Sequence, residues 1–291
     1  MHELVADFLA CPNCLESLVF EGVKANNRFV NGYFKCRNGH VYQVKDEIGL
    51  FKNAKVSAKE FKWEVDVADE AKYDDIRKQY DSYFRKDQRI AIHKMVDRLA
   101  DYVAESCAES DKVVLDVATG MGTIVLPLIA ECSGDAFVIG TDIDERPLRG
   151  TMNKARKACT YDRLSLVVTD AKHLAFKKSS FSTISSYFGF DNIPDTVSAL
   201  KESARVLRIG GLIFFSSLWL KENSGSMRLA EKHGVCQIAS ESRLKKALKE
   251  AGLTLDQVAE TYRGVWPYNP MDLLPVEGDE YAHVIVQAGK P

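Results

Sequence analysis

Residues 113–124 read Val-Val-Leu-Asp-Val-Ala-Thr-Gly-Met-Gly-Thr-Ile, and this stretch decides the fold. The apolar β-branched run Val113–Leu115 predicts a buried strand. Gly120 and Gly122 then predict a tight turn that a ligand can approach closely, because glycine has no Cβ atom. An apolar helical pattern continues from Thr123 to Ala130, so the unpaired N–H groups of a helix would face that ligand. The stretch therefore predicts a nucleotide-type binding loop.

Two features indicate which nucleotide the loop binds. A dinucleotide site usually has a third glycine three residues after the second, and Val125 occupies that position. A carboxylate at Asp116 would repel a pyrophosphate but attract the ammonium and sulfonium of S-adenosylmethionine. The predicted strand Phe137–Thr141 leads to Asp142, which we expect to accept hydrogen bonds from both ribose hydroxyls, at the spacing of a βαβ unit. An acid, a glycine pair and a second acid thus follow one another in the order Asp116, Gly120 and Gly122, Asp142. This order predicts an S-adenosylmethionine site and argues against a nicotinamide oxidoreductase.

Residues 111–220 resemble the class I S-adenosylmethionine-dependent methyltransferases. The segment Leu166–Ala171 (Leu-Val-Val-Thr-Asp-Ala) resembles the third strand of that family, whose terminal acid contacts the adenine amino group. Arg205–Phe215 resembles the helix, Gly-Gly turn and fifth strand, whereas Ser182 stands where the family commonly has Asp. The resemblance implies these cofactor-binding residues: Asp116, Ala118, Gly120, Gly122, Asp142, Ile143, Asp170, Ala171 and Tyr187.

Strand and helix patterns alternate from about residue 111 to residue 291. The patterns predict strands near 113–116, 137–141, 165–169, 182–187, 211–216, 255–262 and 282–287. This alternation predicts an α/β fold, a Rossmann-like, mainly parallel seven-stranded sheet with helices on both faces. Ligands would bind at the carboxyl ends of the strands. The irregular run Arg263–Asp279 is a candidate wall for the substrate.

Residues 1–52 predict a small zinc ribbon. Cys11 and Cys14 form one Cys-x2-Cys pair, and Cys36 and His40 form a Cys-x3-His pair. Three thiolates and one imidazole at this spacing are typical of a closed, structural zinc site, which a unit with so few core residues needs for stability. The alternative is that the cysteines are fortuitous and His40 is a surface residue.

Two known zinc ribbons are similar to this unit. Phe8–Cys14 and Val41–Leu50 resemble the ribbons of the small tRNA-methyltransferase activator family. The Cys-x3-His pair also resembles the ribbon of bacterial rRNA guanine-N1 methyltransferases. These resemblances imply a docking role toward RNA or toward a protein partner.

Residues 53–110 are predicted to be a helical linker and lid. Helical patterns run over about 71–84 and 88–104. Five aromatic residues fall where class I methyltransferases often place a lid, and we expect most of them to serve packing: Trp63, Tyr73, Tyr80, Tyr83 and Phe84. The segment between Lys24 and Lys62 contains nine Lys/Arg and only three Asp/Glu, and this basic excess favours contact with RNA. The acidic patch Glu64–Asp75 that follows weakens this interpretation.

The end of the fourth predicted strand should face the methyl acceptor. Phe188–Asp195 resembles the Phe-Gly-x-x-Asn-Val segment of ubiquinone/menaquinone-biosynthesis C-methyltransferases, although Asp191 replaces their Arg. No Asn/Asp-Pro-Pro-Tyr motif occurs here, which argues against N6-adenine methylation. The candidate catalytic residues are Tyr187, Asp191 and Asn192, and helix capping is the structural alternative for the last two.

The expected acceptor is a small planar metabolite. Two alternatives remain: an RNA base, with the ribbon docking the RNA, and a catalytically silent methyltransferase fold that binds a protein partner.

Composition limits the class of protein. The net charge of −2 argues against a strongly basic nucleic-acid-binding surface. No apolar run approaches the ~20 residues of a membrane span, and residues 1–4 do not resemble the start of a signal peptide. Of the seven cysteines, the four outside the predicted zinc site are expected to be reduced thiols, which favours a cytoplasmic location.

Overall fold

The computed structural model describes residues 1–52, 70–108, 112–132, 134 and 136–291. Residues 53–69 and 109–110 of the predicted linker lie outside the described residues, and with them Trp63 and the part of the acidic patch before Glu70; the side chain of Tyr73 is likewise outside the description. Within the described ranges the strands are β1 Leu18–Ala25, β2 Arg28–Cys36, β3 Val41–Lys45, β4 Ile48–Leu50, β5 Val113–Val117, β6 Phe137–Asp142, β7 Leu164–Val168, β8 Phe181–Tyr187, β9 Leu207–Leu220, β10 Thr254–Val265 and β11 Glu280–Gly289. The helices are α1 Glu70–Ser82, α2 Lys86–Ala108, α3 Val125–Glu131, α4 Glu145–Lys157, α5 Thr196–Val206, α6 Gly225–His233 and α7 Glu241–Ala251.

The seven predicted strands form the expected α/β sheet. Their order is β7-β6-β5-β8-β9-β11-β10, with parallel pairing from β7 to β9 and antiparallel pairing between β9, β11 and β10. Every residue of β5 is buried. A strand covered on both faces must be apolar along its whole length, which explains the unbroken run at Val113–Leu115. The prediction of a mainly parallel seven-stranded sheet is confirmed.

Helices cover both faces of this sheet. One core contains side chains of α2, α3 and α4, and the other contains side chains of α5 and α7. Among the described helices none is long and apolar enough to cross a membrane. The two layers leave the carboxyl ends of β5, β6, β7 and β8 as the edge at which a ligand can bind.

The predicted ribbon is part of the same sheet rather than an appendage. β1, β2, β3 and β4 form an antiparallel meander, and β4 pairs in parallel with β7, so that the sheet has eleven strands. The N–H of Phe51 donates to the carbonyl of Val168 at 2.7 Å. An unpaired β7 edge would expose backbone N–H and C=O groups, and β4 covers that edge.

The segment around the Gly-Gly pair differs from its expected form. β9 begins at Leu207, before the pair, instead of after it. The partners of β8 jump from Leu207 to Leu212, because residues 208–211 bulge out of the ladder. Gly210 adopts φ +74° there, and its N–H donates to the carbonyl of Lys290 at 2.8 Å. Glycine is suited to this left-handed backbone conformation.

Candidate functional site

A cleft lies at the carboxyl ends of β5, β6 and β7, the edge of the sheet at which ligands of such folds bind. The lining residues are Ala118, Thr141, Asp142, Ile143, Thr169, Asp170, Ala171, Asn192, Ile193 and Pro194. Six of the predicted site residues are therefore brought together here. The other five do not line the cleft, and they are Asp116, Gly120, Gly122, Tyr187 and Asp191.

Asp142 ends β6 and lies at the wall of the cleft. Its Oδ2 atom accepts the Gly120 N–H at 2.9 Å, and its Oδ1 atom accepts the Asp144 N–H at 3.0 Å. Burial raises the pKa of this carboxyl to about 6, against the lowering effect of the two backbone donors. These bonds fix the orientation of the carboxylate and leave further lone pairs free for ligand hydroxyls.

Asp116 lies beneath the glycine loop instead of at the cleft surface. The residue has 0% exposure, and its two oxygens accept hydroxyl hydrogen bonds from Ser185 at 2.6 Å and Thr119 at 2.7 Å. Burial raises the pKa of this carboxyl to about 7. The Asp116 carboxylate does not line the cleft, and its attraction for the cations of the cofactor stays a prediction.

The loop above Asp116 has three residues with left-handed backbone conformations: Ala118 at φ 56°, Gly120 at φ 54° and Gly122 at φ 75°. A Cβ atom on Gly122 would lie 2.6 Å from the Thr151 side chain of α4. The Thr151 hydroxyl donates to the Gly120 carbonyl at 3.0 Å. Glycine at 122 is therefore required both for its backbone conformation and for the close approach of α4.

Asp170 follows β7 and is 5% exposed. Its Oδ1 atom accepts the Lys172 N–H at 2.8 Å. Thr169 supports the same turn, since its hydroxyl donates to the His173 carbonyl at 3.2 Å. The turn holds Asp170 and Ala171 at the cleft, on the side next to β4.

The candidate catalytic residues after β8 are held by bonds other than helix caps. Asp191 accepts the Ser217 hydroxyl at 2.8 Å and the Leu218 N–H at 3.2 Å, and burial raises the pKa of its carboxyl to about 7. Asn192 is exposed at the cleft and donates to the Phe188 carbonyl at 2.9 Å. The N-cap position of α5 is instead Asp195. The capping alternative for Asp191 and Asn192 is thus wrong.

A chain of aromatic rings runs from the end of β8 to the lid helix. Neighbouring ring centroids lie 4.8–5.3 Å apart. We call this chain the aromatic wall, and its members in spatial order are Tyr187, Phe188, His283, Tyr281, Trp266, Phe84 and Tyr80. His283 is 3% exposed, and burial lowers the pKa of its imidazole to about 4, so the ring is neutral at physiological pH.

Only part of this wall is predictable from the sequence. Tyr80, Phe84 and Trp266 belong to it, and Phe84 and Trp266 are buried, in agreement with the packing role expected for most of the lid aromatics. Tyr83 instead contacts Tyr268, with ring centroids 6.5 Å apart. Tyr281 and His283 had no local sequence signal, because only the pairing of β11 with β9 brings them to Phe188.

The predicted metal ligands meet in the ribbon. The ligand atoms of Cys11, Cys14, Cys36 and His40 all lie within 4.8 Å of one another. The distance from Cys14 Sγ to Cys36 Sγ is 3.8 Å, and the three Sγ atoms lie 3.3–3.6 Å from His40 Nδ1. A tetrahedral zinc ion with ordinary Zn–S and Zn–N bonds requires S···S distances of about 3.8 Å and S···N distances of about 3.6 Å. The four residues therefore fit a tetrahedral metal ion.

Two side chains outside the four ligands hold the Cys11 thiol in place. The Tyr42 hydroxyl lies 3.1 Å from Cys11 Sγ and accepts the Asn13 side-chain N–H at 2.7 Å. Burial raises the pKa of the Tyr42 phenol, so Tyr42 remains a hydrogen-bond donor to the sulfur. Such outer contacts are typical of metal sites.

The ribbon does not present a basic surface. Residues 1–52 contain six Lys/Arg and six Asp/Glu. Four ribbon cations form ion pairs with ribbon acids: Lys24 with Glu3, Arg28 with Glu47, Lys35 with Glu21 and Arg37 with Glu16. Between Lys24 and Lys62 the basic excess is six, of which four fall in residues 24–52, where the acids of residues 1–23 balance them, and two in residues 53–62, which lie outside the described residues.

The model of the ubiE/COQ5 methyltransferase family matches residues 63–224 of this chain. The chain belongs to the ubiE/COQ5 methyltransferase family. It is therefore an S-adenosylmethionine-dependent methyltransferase, and this membership covers the cofactor cleft and the Phe188–Asp195 segment.

Individual members of this wider group are distant. Methyltransferase GfsG of Streptomyces halstedii is 26% identical over 207 residues, which are 61% of this chain and 74% of GfsG. The ubiquinone/menaquinone biosynthesis C-methyltransferase UbiE of Acidiphilium cryptum is 31% identical over 125 residues, 43% of this chain and 49% of UbiE. The match thus spans about half the length of that family member.

Solved structures share the fold. The YcgJ protein of Bacillus subtilis matches with a TM-score of 0.53 and 18% identity, covering 68% of this chain and 99% of YcgJ. Geranyl diphosphate C-methyltransferase of Streptomyces coelicolor matches with a TM-score of 0.52 and 14% identity, covering 66% of this chain and 76% of that enzyme. A [4+2]-cyclase, SpnF, matches equally well with a TM-score of 0.52, so the fold alone does not identify the reaction.

Proposed function

We propose that this methyltransferase transfers the methyl group of S-adenosylmethionine to a small planar metabolite. The observation that carries the proposal is the junction at Asn192, which lines the cofactor cleft and donates to the carbonyl of Phe188 in the aromatic wall. Tyr187 and Phe188 are the half-buried rings at this end of the wall, and a flat acceptor stacked on them would lie beside the cofactor. Aromatic side chains favour such ligands through large contact areas and ring stacking.

The proposed cofactor contacts follow from the positions of the residues in the cleft. Asp142 would accept hydrogen bonds from the ribose hydroxyls, and Asp170 would accept one from the adenine amino group. Ile143 and Ala171 would contact the adenine ring, and the backbone around Ala118 would approach the methionine part.

The loop residues and Asp116 would act on the cofactor at longer range. Gly120 and Gly122 would shape the loop around the cofactor, and Tyr187 would lie on the acceptor side. Asp116 would act through the loop, by placing a buried carboxylate below a ligand that carries a sulfonium and an ammonium.

When bound, S-adenosylmethionine supplies an electrophilic methyl group, and methyl transfer proceeds by in-line displacement at that carbon. The protein then has to hold the acceptor atom in line, and positioning of this kind can contribute on the order of 7–11 kcal/mol in favourable cases. Asn192 would orient the acceptor at the end of β8. The Asp191 carboxylate accepts hydrogen bonds from Ser217 and Leu218 of β9. We therefore assign Asp191 to positioning of the Phe188–Asp195 segment rather than to contact with the acceptor.

The names of similar proteins support a small acceptor. They include an enzyme named 27-O-demethylrifamycin SV methyltransferase, 26% identical over 186 residues, 60% of this chain and 66% of that enzyme, and the C-methyltransferase UbiE. The accepting atom differs between these names, so the proposal extends to O- or C-methylation. The balanced charge of the ribbon gives no support to an RNA acceptor.

The ribbon is proposed to bind one structural zinc ion through Cys11, Cys14, Cys36 and His40. Four protein ligands would close the coordination sphere, which leaves no position for a substrate. We propose that the chain divides by function into a zinc ribbon at 1–52, a helical linker and lid at 53–110 and a methyltransferase unit at 111–291. A protein partner at the ribbon remains compatible with this division, as does a cytoplasmic location.

Calorimetry with S-adenosylhomocysteine tests the cofactor assignment. Asp142→Ala should weaken binding by about 10–100-fold, because hydrogen bonds to a charged acceptor contribute roughly 1.5–3 kcal/mol. Asp256→Ala, which removes an exposed carboxylate from β10, should bind as the wild type does. If the wild type bound no S-adenosylhomocysteine, the chain would be a silent fold and the proposal would be wrong.

A further inference from the structure

Residues 8–10, which lead into the first predicted metal ligand, pair with residues 175–177 of the methyltransferase unit. Leu9 and Phe176 form an antiparallel bridge between the two segments, and both side chains are buried. Two backbone hydrogen bonds of 3.0 Å and 2.8 Å flank this bridge. We call the paired segments 8–10 and 175–177 the clamp. The clamp fixes the entry to the metal site onto the methyltransferase unit.

Ala175 connects the clamp to the cofactor cleft. Its carbonyl accepts the Ala10 N–H at 3.0 Å, and its own N–H donates to the Thr169 hydroxyl at 3.2 Å. Thr169 lines the cleft, and its N–H donates to the carbonyl of Asp142 at 2.9 Å. Three hydrogen bonds therefore lead from the residue before Cys11 to the carboxylate-bearing residue that we propose for the ribose hydroxyls.

The metal ligands hold the other end of this path. Cys11 follows Ala10 directly, and its carbonyl accepts the N–H groups of Cys14 at 3.3 Å and Leu15 at 2.7 Å, which closes the first metal-binding turn. A bound metal ion would join this turn to His40 and the other ligand turn with strong bonds, whereas metal-free thiols form only weak hydrogen bonds. We therefore expect the order of Ala10 to depend on whether the metal is bound.

We propose that the metal ion in the ribbon and S-adenosylmethionine in the cleft bind cooperatively, coupled through Ala10, Ala175 and Thr169. This inference rests on the proposed function and adds a regulation to it, because the metal content of the ribbon then sets the affinity for the cofactor. A coupling between two binding sites is reciprocal. The cofactor must therefore tighten metal binding by the same factor by which the metal tightens cofactor binding.

A second support limits the size of this effect. Arg205 of α5 donates to the carbonyls of Leu174 at 2.9 Å and Phe176 at 2.8 Å. The segment after the cleft therefore keeps part of its structure when the ribbon loosens. Couplings between two sites typically change an affinity by about 5–150-fold, and we expect a change of about tenfold here.

Calorimetry with S-adenosylhomocysteine tests the coupling on the full chain. The affinity is measured in the zinc-bound protein, after removal of zinc with a chelator under reducing conditions, and after zinc is added back. Removal should weaken binding by about tenfold, and added zinc should restore it. Equal affinities would overturn the inference. Loss of the whole sheet in the zinc-free chain, measured by circular dichroism, would also overturn it, because the metal would then act on folding rather than through the clamp.

Cobalt(II) gives a second readout that requires neither activity nor a variant. Cobalt(II) bound to thiolates absorbs visible light, so competition with a chelator reports the affinity of the ribbon for the metal. Saturating S-adenosylhomocysteine should raise this affinity by the same factor of about ten. An unchanged cobalt affinity would overturn the coupling.

Thr169 offers matched variants that test the path itself. Thr169→Val removes the hydroxyl and keeps the shape of the side chain, whereas Thr169→Ser keeps the hydroxyl. The measured quantity is the ratio of S-adenosylhomocysteine affinities with and without zinc, so a change in direct cofactor contact cancels. This ratio should stay near tenfold in Thr169→Ser and fall below about twofold in Thr169→Val. A wild-type ratio in Thr169→Val would overturn the path through Ala175.

The outcomes separate this inference from the assignments on which it rests. A wild type that binds no S-adenosylhomocysteine would refute the proposed function, and a folded wild type without metal would refute the zinc site. A wild type that binds both ligands, each with an affinity independent of the other, would refute the coupling alone.

Discussion

Asp116 should make the ligand-free protein less stable as the pH rises. Its carboxyl has 0% exposure, and its two hydrogen bonds come from uncharged hydroxyls of Ser185 and Thr119. Asp116→Asn keeps the shape of the side chain and removes the charge. The Ser185 hydroxyl can accept a hydrogen bond from the new amide, because a hydroxyl is both donor and acceptor.

The magnitude follows from the pKa of Asp116, about 7 in the folded protein against about 3.9 in an unfolded chain. A raised carboxyl pKa means that the folded protein holds a proton that the unfolded chain releases. Stability is therefore lost as the pH rises from about 4 to about 7, at about 1.4 kcal/mol per pH unit. The raised pKa of Asp116 therefore lowers the free energy of unfolding by about 1–2 kcal/mol at pH 5 and by about 4 kcal/mol at pH 8. The wild type should lose about 2–3 kcal/mol more than the variant between these pH values.

Urea denaturation at pH 5 and pH 8 measures this difference, with Asp256→Asn as the exposed-carboxylate control. The stability gain of Asp116→Asn should be larger at pH 8 by about 2–3 kcal/mol, whereas the control should show no such change. The same variant should bind S-adenosylmethionine more weakly, since a positive ligand favours the ionised carboxyl. A gain that is equal at both pH values would refute the assignment of a buried, raised carboxyl to Asp116.

Three further changes test other parts of the molecule. Metal analysis should find about one zinc per chain, and Cys14→Ser should abolish it and destabilise the ribbon, whereas a metal-free folded wild type would refute the zinc site. Gly122→Ala should lower both stability and S-adenosylhomocysteine affinity, because φ is +75° and the new Cβ would lie 2.6 Å from Thr151; unchanged calorimetry would contradict this. Ile48→Ala should cost about 2–5 kcal/mol in urea denaturation, since Ile48 is fully buried beside Leu166, and it should lower the transition of the whole sheet rather than of a separate ribbon.

Local patterns in the sequence were sufficient to predict the parallel core. The run at Val113–Leu115 is apolar because both faces of β5 are covered, and such runs end where the strands end. The acids Asp142 and Asp170 could be placed at the cleft for the same reason, since parallel strands present their carboxyl ends at one edge. The meeting of Cys11, Cys14, Cys36 and His40 was predictable because Cys-x2-Cys and Cys-x3-His are spacings typical of metal sites.

Long-range contacts account for what the sequence could not predict. The burial of Asp116 depends on Ser185, which follows 69 positions later on a neighbouring strand. His283 joins the aromatic wall through strand pairing that no local periodicity encodes.

The pairing of β4 with β7 connects the candidate metal site to the cofactor cleft. β7 carries Asp170 at its end, and its outer edge is covered by a strand of only three residues. So short a strand needs support from its own unit, and Arg28 supplies part of it by donating to the Leu164 carbonyl at 3.0 Å and stacking over Tyr161 at 4.1 Å. A second link lies one residue before Cys11, where the Ala10 N–H donates to the Ala175 carbonyl at 3.0 Å, in the loop that follows Asp170. The metal would therefore stabilise the adenine side of the cofactor cleft through backbone contacts, without any ligand of its own at the reacting atoms.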